Sequence, residues 1–186
     1  MKKYDIIYAD PPWQFRGYTQ KGGKRGYTNN VREYYPTMSL EDLKNLDVPS
    51  ICSKDSLIFL WATSPNLDQA IQLMQAWKFN LMTVGFVWDK QQVNPGHYTM
   101  SQCELCLIGK RGRIPQPRGA RNVRQFISER RTTHSTKPDE VRQRIEAMFP
   151  SQAKIELFAR KKTTGWDVWG NEVTSDVVIG EINHDR

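Results

Sequence analysis

The sequence predicts an α/β domain built on a largely parallel sheet, and three observations carry that expectation. Nearly continuous apolar runs such as Ile6-Ile7 and Leu57-Ile-Phe-Leu60 read as strands covered on both faces. Segments with apolar residues three to four positions apart lie between them and read as helices. A length of 186 residues with 38% hydrophobic content is that of one domain, residues 1–186, with a core of its own.

Taken in order, Asp5 to Ala9 is a buried strand stopped by Pro11-Pro12. Ser39 opens a helix with a capping box closed by Asp42. Ser56 to Ala62 is a second buried strand. Asn66 then caps a helix reaching about Trp77, with Leu67, Ala70, Ile71, Met74 and Trp77 at helical spacing. Leu81–Trp88 and Cys103–Ile108 are strand candidates. At Thr136-Lys-Pro-Asp-Glu a helix begins, with Pro138 in its first turn, Asp139 and Glu140 complementing its dipole, and Val141, Ile145 and Met148 on its apolar face. Lys154–Ala159 and Trp166–Trp169 complete the strands, and residues 174–186 form an edge strand or a frayed tail. Sheets of this kind bind ligands beyond the carboxyl ends of their strands, which directs attention to Asp10, Ser64 and Arg160.

The charge is concentrated. The chain carries +7 overall, from 27 basic and 20 acidic residues, yet Lys110 to Arg131 holds eight basic residues against Glu129 alone. Gln14 to Tyr35 adds Arg16, Lys21, Lys24, Arg25 and Arg32 against Glu33. Both segments are poor in apolar periodicity and read as long loops, 14–35 and 110–133, the first interleaved with Tyr18, Tyr27, Tyr34 and Tyr35. Basic loops with stacking aromatics predict a nucleic-acid surface, with Arg16, Lys21, Lys24, Arg25, Arg118, Arg121 and Arg124 as the contacts. Three cysteines cannot make a disulfide framework, and no apolar run is long enough for a membrane span or a secretory leader, so a cytoplasmic location is expected.

Asp10-Pro-Pro-Trp13 is the sharpest local feature. An exocyclic base amine attacks an electrophilic methyl group only once its lone pair is localised, and two hydrogen-bond acceptors on its hydrogens achieve this. Asp10 supplies a carboxylate and Pro11 a carbonyl. The two prolines fix the backbone, so the acceptors are preorganised. Trp13 offers a flat face on which an extruded base can stack. Pro-Pro alone would merely end a strand; the four residue types together, just before a basic aromatic loop, predict a site.

Tyr8-Ala-Asp-Pro-Pro-Trp13, Phe59-Leu-Trp-Ala-Thr63, Glu104 to Gly112, His134-Ser-Thr-Lys-Pro-Asp-Glu140, Ile155 to Arg160 and Trp166 to Glu172 together resemble the MT-A70-like family of S-adenosylmethionine-dependent adenine methyltransferases. The resemblance implies a class I, Rossmann-like methyltransferase fold with permuted motif order, the catalytic strand coming first. It implies methyl transfer to the N-6 amine of a flipped adenine and release of S-adenosylhomocysteine. Asp10 and Pro11 would hold the amine, and Pro12 and Trp13 would sandwich the base. Asp10, Lys137, Glu156, Phe158, Arg160, Asn171 and Glu172 would line the cofactor site, Lys137 pairing with the cofactor carboxylate and Asn171 with Glu172 gripping the ribose. The alternation along the strand puts Glu156, Phe158 and Arg160 on one face. The compact chain favours DNA, duplex or locally opened, of a bacterial or phage system, with the enzyme a monomer or homodimer in the bacterial host cell. An RNA adenosine methyltransferase with the same site, or an inactive nucleic-acid-binding partner subunit, are the alternatives.

Other signals are weaker. Cys103 and Cys106 have a metal-like spacing but apolar neighbours and no second pair, so strand core is expected and no metal. His97 and His134 lack the partners of a hydrolytic triad, and there is no Gly-x-Gly-x-x-Gly or phosphate-cradling motif.

Overall fold

The computed structural model describes residues 2–14, 37–95, 98–131 and 136–182. Seven strands form one sheet: β1 (Tyr4–Ala9), β2 (Cys52–Ala62), β3 (Asn80–Asn94), β4 (Ser101–Arg111), β5 (Phe126–Ser128), β6 (Lys154–Leu157) and β7 (Asp167–Trp169), in the spatial order β5-β3-β4-β2-β1-β6-β7. Only β4 runs against the rest, antiparallel to both β2 and β3, and the other pairings are parallel. Among the described residues there are three α-helices, α1 (Leu40–Asn45), α2 (Leu67–Ala76) and α3 (Asp139–Met148).

The sheet is covered on both faces. Ile7 and Ala9 of β1 meet Leu43 of α1 and Ala70, Leu73 and Met74 of α2 on one side, and Trp77 locks those helices together by donating its indole N–H to the Leu43 carbonyl at 3.0 Å. Ile6 and Tyr8 face the other way, onto Val141 and Ile145 of α3 with Phe149 just beyond it. This alternation over Ile6–Ala9, with both faces covered, is why that part of β1 reads as a continuous apolar run. The central position of β1 matters for the site. The chain leaves β1 to build β2 on one flank and returns late to build β6 on the other, so the direction of the sheet's winding switches at β1. Such a switch opens a crevice beyond the strand's carboxyl end, where Asp10 follows Ala9.

Several boundaries differ from the sequence expectation. β3 and β4 run well past the apolar stretches Leu81–Trp88 and Cys103–Ile108, because an antiparallel hairpin satisfies its own backbone groups without needing covered faces. The 110–133 segment is not all loop: it contains β5, which pairs with Val87 to Asp89. The capping box of α1 is present, with the Asp42 N–H donating to Ser39. The Asn66 side chain, in contrast, donates to Thr63 Oγ1 at 3.1 Å and does not cap α2, since the turn Ser64–Asn66 leads directly into that helix. Pro138 stands at the N-cap of α3 with extended ψ, one place earlier than expected. The described part of the final segment, up to residue 182, is tied to the α1 region: the Gly180 carbonyl accepts from Asp47 N–H at 2.8 Å and Ile182 N–H reaches the Asn45 carbonyl at 2.7 Å. No helix among the described residues is long and apolar enough to cross a membrane.

Candidate active site

The Asp10-Pro-Pro-Trp13 turn is pinned on three sides. The Trp13 N–H donates to the Pro11 carbonyl at 2.8 Å, the Met38 N–H to the Pro12 carbonyl at 3.0 Å, and the Trp13 indole N–H to the Trp61 carbonyl at the end of β2 at 3.0 Å. With φ fixed by each proline, the turn is held before any ligand arrives. The Pro11 carbonyl already accepts one hydrogen bond and keeps a second lone pair for another donor. Trp13 is half-buried and lines the same cavity as Asp10, Pro11 and Pro12.

That cavity, of about 150 Å³, is bounded on its far side by Trp61, Thr63, Glu104, Lys137 and Arg160. Its charges form a chain. Lys137 Nζ lies 2.6 Å from Asp10 Oδ2 and 3.3 Å from Glu104 Oε2, and Glu104 Oε1 lies 3.2 Å from Lys90 Nζ. The Lys137 ammonium also sits 5.5 Å from the centre of the Trp61 ring. Burial pushes the Asp10 carboxyl up from its ordinary value, against the opposing pull of Lys137. Burial would also push Glu104 up, but Lys137 and Lys90 together hold it below the usual range. For Lys137, burial is outweighed by Asp10 and Glu104, so its ammonium is held more tightly than that of a free lysine. A carboxylate at the mouth of a cavity, backed by a firmly charged ammonium, can accept a hydrogen bond from an incoming amine.

The MT-A70 family profile matches residues 4–172, from the first strand to just past the last. The chain belongs to the MT-A70 family. Over its full length it is 45% identical to the Type II methyltransferase M.MunI of a Mycoplasma species, of which it covers 86%. It is 29% identical to the putative N(6)-adenosine-methyltransferase MT-A70-like protein of Medicago truncatula, 96% of the chain aligning with 28% of that protein. With the N(6)-adenosine-methyltransferase catalytic subunit METTL3 of Homo sapiens the identity is 25%, over 92% of the chain and 28% of the relative. The chain thus spans most of M.MunI and little more than a quarter of the adenosine methyltransferases. It is a methyltransferase, and its sheet is that of a Rossmann-like methyltransferase.

This MT-A70 fold distributes the expected cofactor residues unevenly. Arg160 lines the Asp10 cavity and lies 3.4 Å from Glu172. Asn171 and Glu172 are exposed just beyond β7, reached through Gly170, where any side chain would collide with the Ala159 carbonyl. Glu156, Phe158 and Arg160 do not share a strand face: β6 ends at Leu157, and Phe158 takes a left-handed φ of 59°. The alternation therefore stops where the chain bends, and the Ala159 N–H crosses to the Trp169 carbonyl at 3.0 Å. Phe158 packs edge-on against Trp169 with ring centres 5.4 Å apart. Glu156 is buried against Arg142, which donates from Nε at 2.8 Å and from a terminal nitrogen at 3.1 Å.

The basic contacts separate as well. Arg16, Lys21, Lys24 and Arg25 lie outside the described residues. Arg118 is brought to the far end of α3 from Lys137, its guanidinium 5.7 Å from the centre of the Phe149 ring, while Arg121 and Arg124 are exposed. Arg130 and Arg131 instead line a larger cavity of about 520 Å³ beside Trp88, Lys137 and Gln143. The sequence counts these two arginines in its basic segment and Glu104 in a family motif without singling them out as site residues, and gives Lys90 no role. The available signal was a charged Glu104 inside the apolar run Cys103 to Ile108.

Proposed function

We propose that the protein is a DNA adenine N-6 methyltransferase that uses S-adenosylmethionine and acts on an adenine turned out of the duplex. The observation that carries this reading is Asp10 at the carboxyl end of the central strand, facing a cavity with Trp13, Lys137, Glu104 and Arg160. The donor set fits the cofactor. Lys137 and Arg160 supply two cations for its carboxylate, Asp10 and Glu104 supply anions for its ammonium, and Glu172 beside Asn171 supplies acceptors for ribose hydroxyls. When bound, the cofactor would provide the electrophilic methyl group.

The chain's own residues do the rest. Asp10 accepts one hydrogen of the adenine amine and the free lone pair of the Pro11 carbonyl the other, which localises the nitrogen lone pair toward the methyl group. Pro12 and Trp13 hold the base by apolar contact and stacking. Arg121 and Arg124, with Arg130 and Arg131 beside the second cavity, meet backbone phosphates. The similarity to a Type II methyltransferase over the whole chain supports DNA as the substrate, and the weaker similarity to N(6)-adenosine methyltransferases favours RNA as the second reading.

Incubating the protein with labelled cofactor and, separately, duplex DNA, single-stranded DNA and RNA, followed by digestion and mass spectrometry of the nucleosides, tests this. N-6-methyladenine from DNA is expected. Product from RNA alone would overturn the choice of DNA, and product from neither would leave a binding subunit.

A further inference from the structure

Four charges of alternating sign run inward from the cavity: Asp10, Lys137, Glu104 and Lys90, with successive contacts of 2.6, 3.3 and 3.2 Å. The inner three side chains are at most 14% exposed. Lys90 on β3 reaches Glu104 on β4 because Trp88 and Glu104 are cross-strand partners in the hairpin, which sets Lys90 diagonally opposite. It does not line the Asp10 cavity. Two carboxylates in this group face one ammonium, Lys137. Without a second cation the group would carry a net negative charge away from water, and such a group lowers its energy by taking up a proton on one carboxylate.

We propose that Lys90 is a positioning residue that keeps Asp10 in its carboxylate form: Lys90 neutralises Glu104, and this leaves Lys137 free to neutralise Asp10. The inference rests on Asp10 as the acceptor of the amine hydrogen, since a protonated Asp10 loses the charge that makes it a strong acceptor. With both lysines in place Asp10 is the more readily protonated carboxylate, because burial raises it while Glu104 is held low by Lys137 and Lys90; without Lys90 the two carboxylates share Lys137 alone. Among the described residues, the charged or titratable groups around Asp10 are Lys137 preceding α3, Glu104 and Cys106 on β4, Arg160 after β6, and Lys90 acting through Glu104. Of the charged residues among these, Lys90 does not line the cavity and can be altered without touching it.

The test uses the full chain and two readouts, the pH dependence of kcat for methyl transfer and the NMR titration of the Asp10 carboxyl carbon, assigned with Asp10→Asn. Lys90→Gln keeps a hydrogen bond to Glu104 and removes the charge. It should move both the acidic limb and the Asp10 titration to higher pH by about one unit. Lys90→Arg should leave both where they are in the wild type. In a Glu104→Gln background the limb should lie at or below its wild-type position, and adding Lys90→Gln should not move it. That double variant also removes both charges of the inner pair, so it remains measurable if a single variant fails to fold. An unmoved Asp10 titration in Lys90→Gln, or an equal shift when position 104 is already Gln, would overturn the relay. If no nucleic acid is methylated, the methyltransfer reading fails while the NMR titration still decides the relay.

Discussion

Two buried ion groups meet the first turns of α3, and they differ in kind. Arg142 grips Glu156 with two hydrogen bonds and stacks its guanidinium 5.6 Å from the centre of the Tyr8 ring, with both side chains at most 10% exposed. Neither residue lines the two cavities described above. Lys137, five residues earlier, divides itself between Asp10 and Glu104, and its chain of charges ends on a carboxylate facing a cavity. Buried charge is therefore not what marks the reactive site. The Arg142–Glu156 pair is satisfied within the protein, with Arg142 also bonding Asp139, and it joins α3 to β6. The open chain leaves one acceptor for a molecule from outside.

If this contrast is right, the two groups should fail differently when broken. The largest effect should come from Asp10→Ala, which should lower turnover by about 10²–10⁴-fold while folding and DNA affinity, measured by circular dichroism and filter binding, stay near wild type. Proportional loss of binding and activity would remove Asp10 from its chemical role. Arg142→Met should do the reverse. It strands the Glu156 carboxylate in the core and should destabilise the fold by about 3–5 kcal/mol in urea unfolding, with little change in turnover per folded molecule. Next, Lys137→Met should weaken cofactor binding by about ten- to a hundredfold in calorimetry, the worth of a charge-assisted hydrogen bond.

Acid sharpens the comparison within the open group itself. Asp10 is raised in the folded state, so on acidification the native protein takes up this proton before the unfolded chain does, and stability does not fall with it. Glu104 is depressed, so its stabilisation is complete above the ordinary carboxylate value and disappears as pH falls through its folded value. Activity should thus be lost at a higher pH than structure, and a pH titration following methylation and near-ultraviolet dichroism together would refute this if the two fell in step. The smallest effect concerns the basic segment. Arg121→Gln with Arg124→Gln should reduce the slope of log affinity against log salt by about 1.8, whereas Arg118→Gln, over Phe149, should act mainly on stability by about 0.5–1 kcal/mol.

Much of the framework is legible along the chain because its signals are local. The Ser39 capping box, the alternation of apolar runs with helical spacing, and the proline-stopped strand before Asp10 each depend on residues a few positions apart. The strand after Gln152 shows where that reading fails. Lys154 to Ala159 is apolar enough to continue as a strand, yet it bends at Phe158, because the turn must pass over the end of β7 beside Gly170. Nothing within those six residues encodes that neighbour.

The motif Asp10-Pro-Pro-Trp13 and the helix start at Lys137 were determined by sequence alone, since each is a short run whose chemistry is carried by its own side chains and backbone. Their meeting was not. A separation of 127 residues is closed to 2.6 Å only because β1 sits at the winding switch of the sheet, with α3 packed under its carboxyl end. The same packing decided which charges serve the cavity: it turned Glu156 inward onto Arg142, carried Arg118 to the opposite end of α3, and brought Glu104 and Lys90 behind Lys137. Coulombic interactions depend on distance in space and on exclusion of water, and a linear sequence specifies neither until the sheet is assembled.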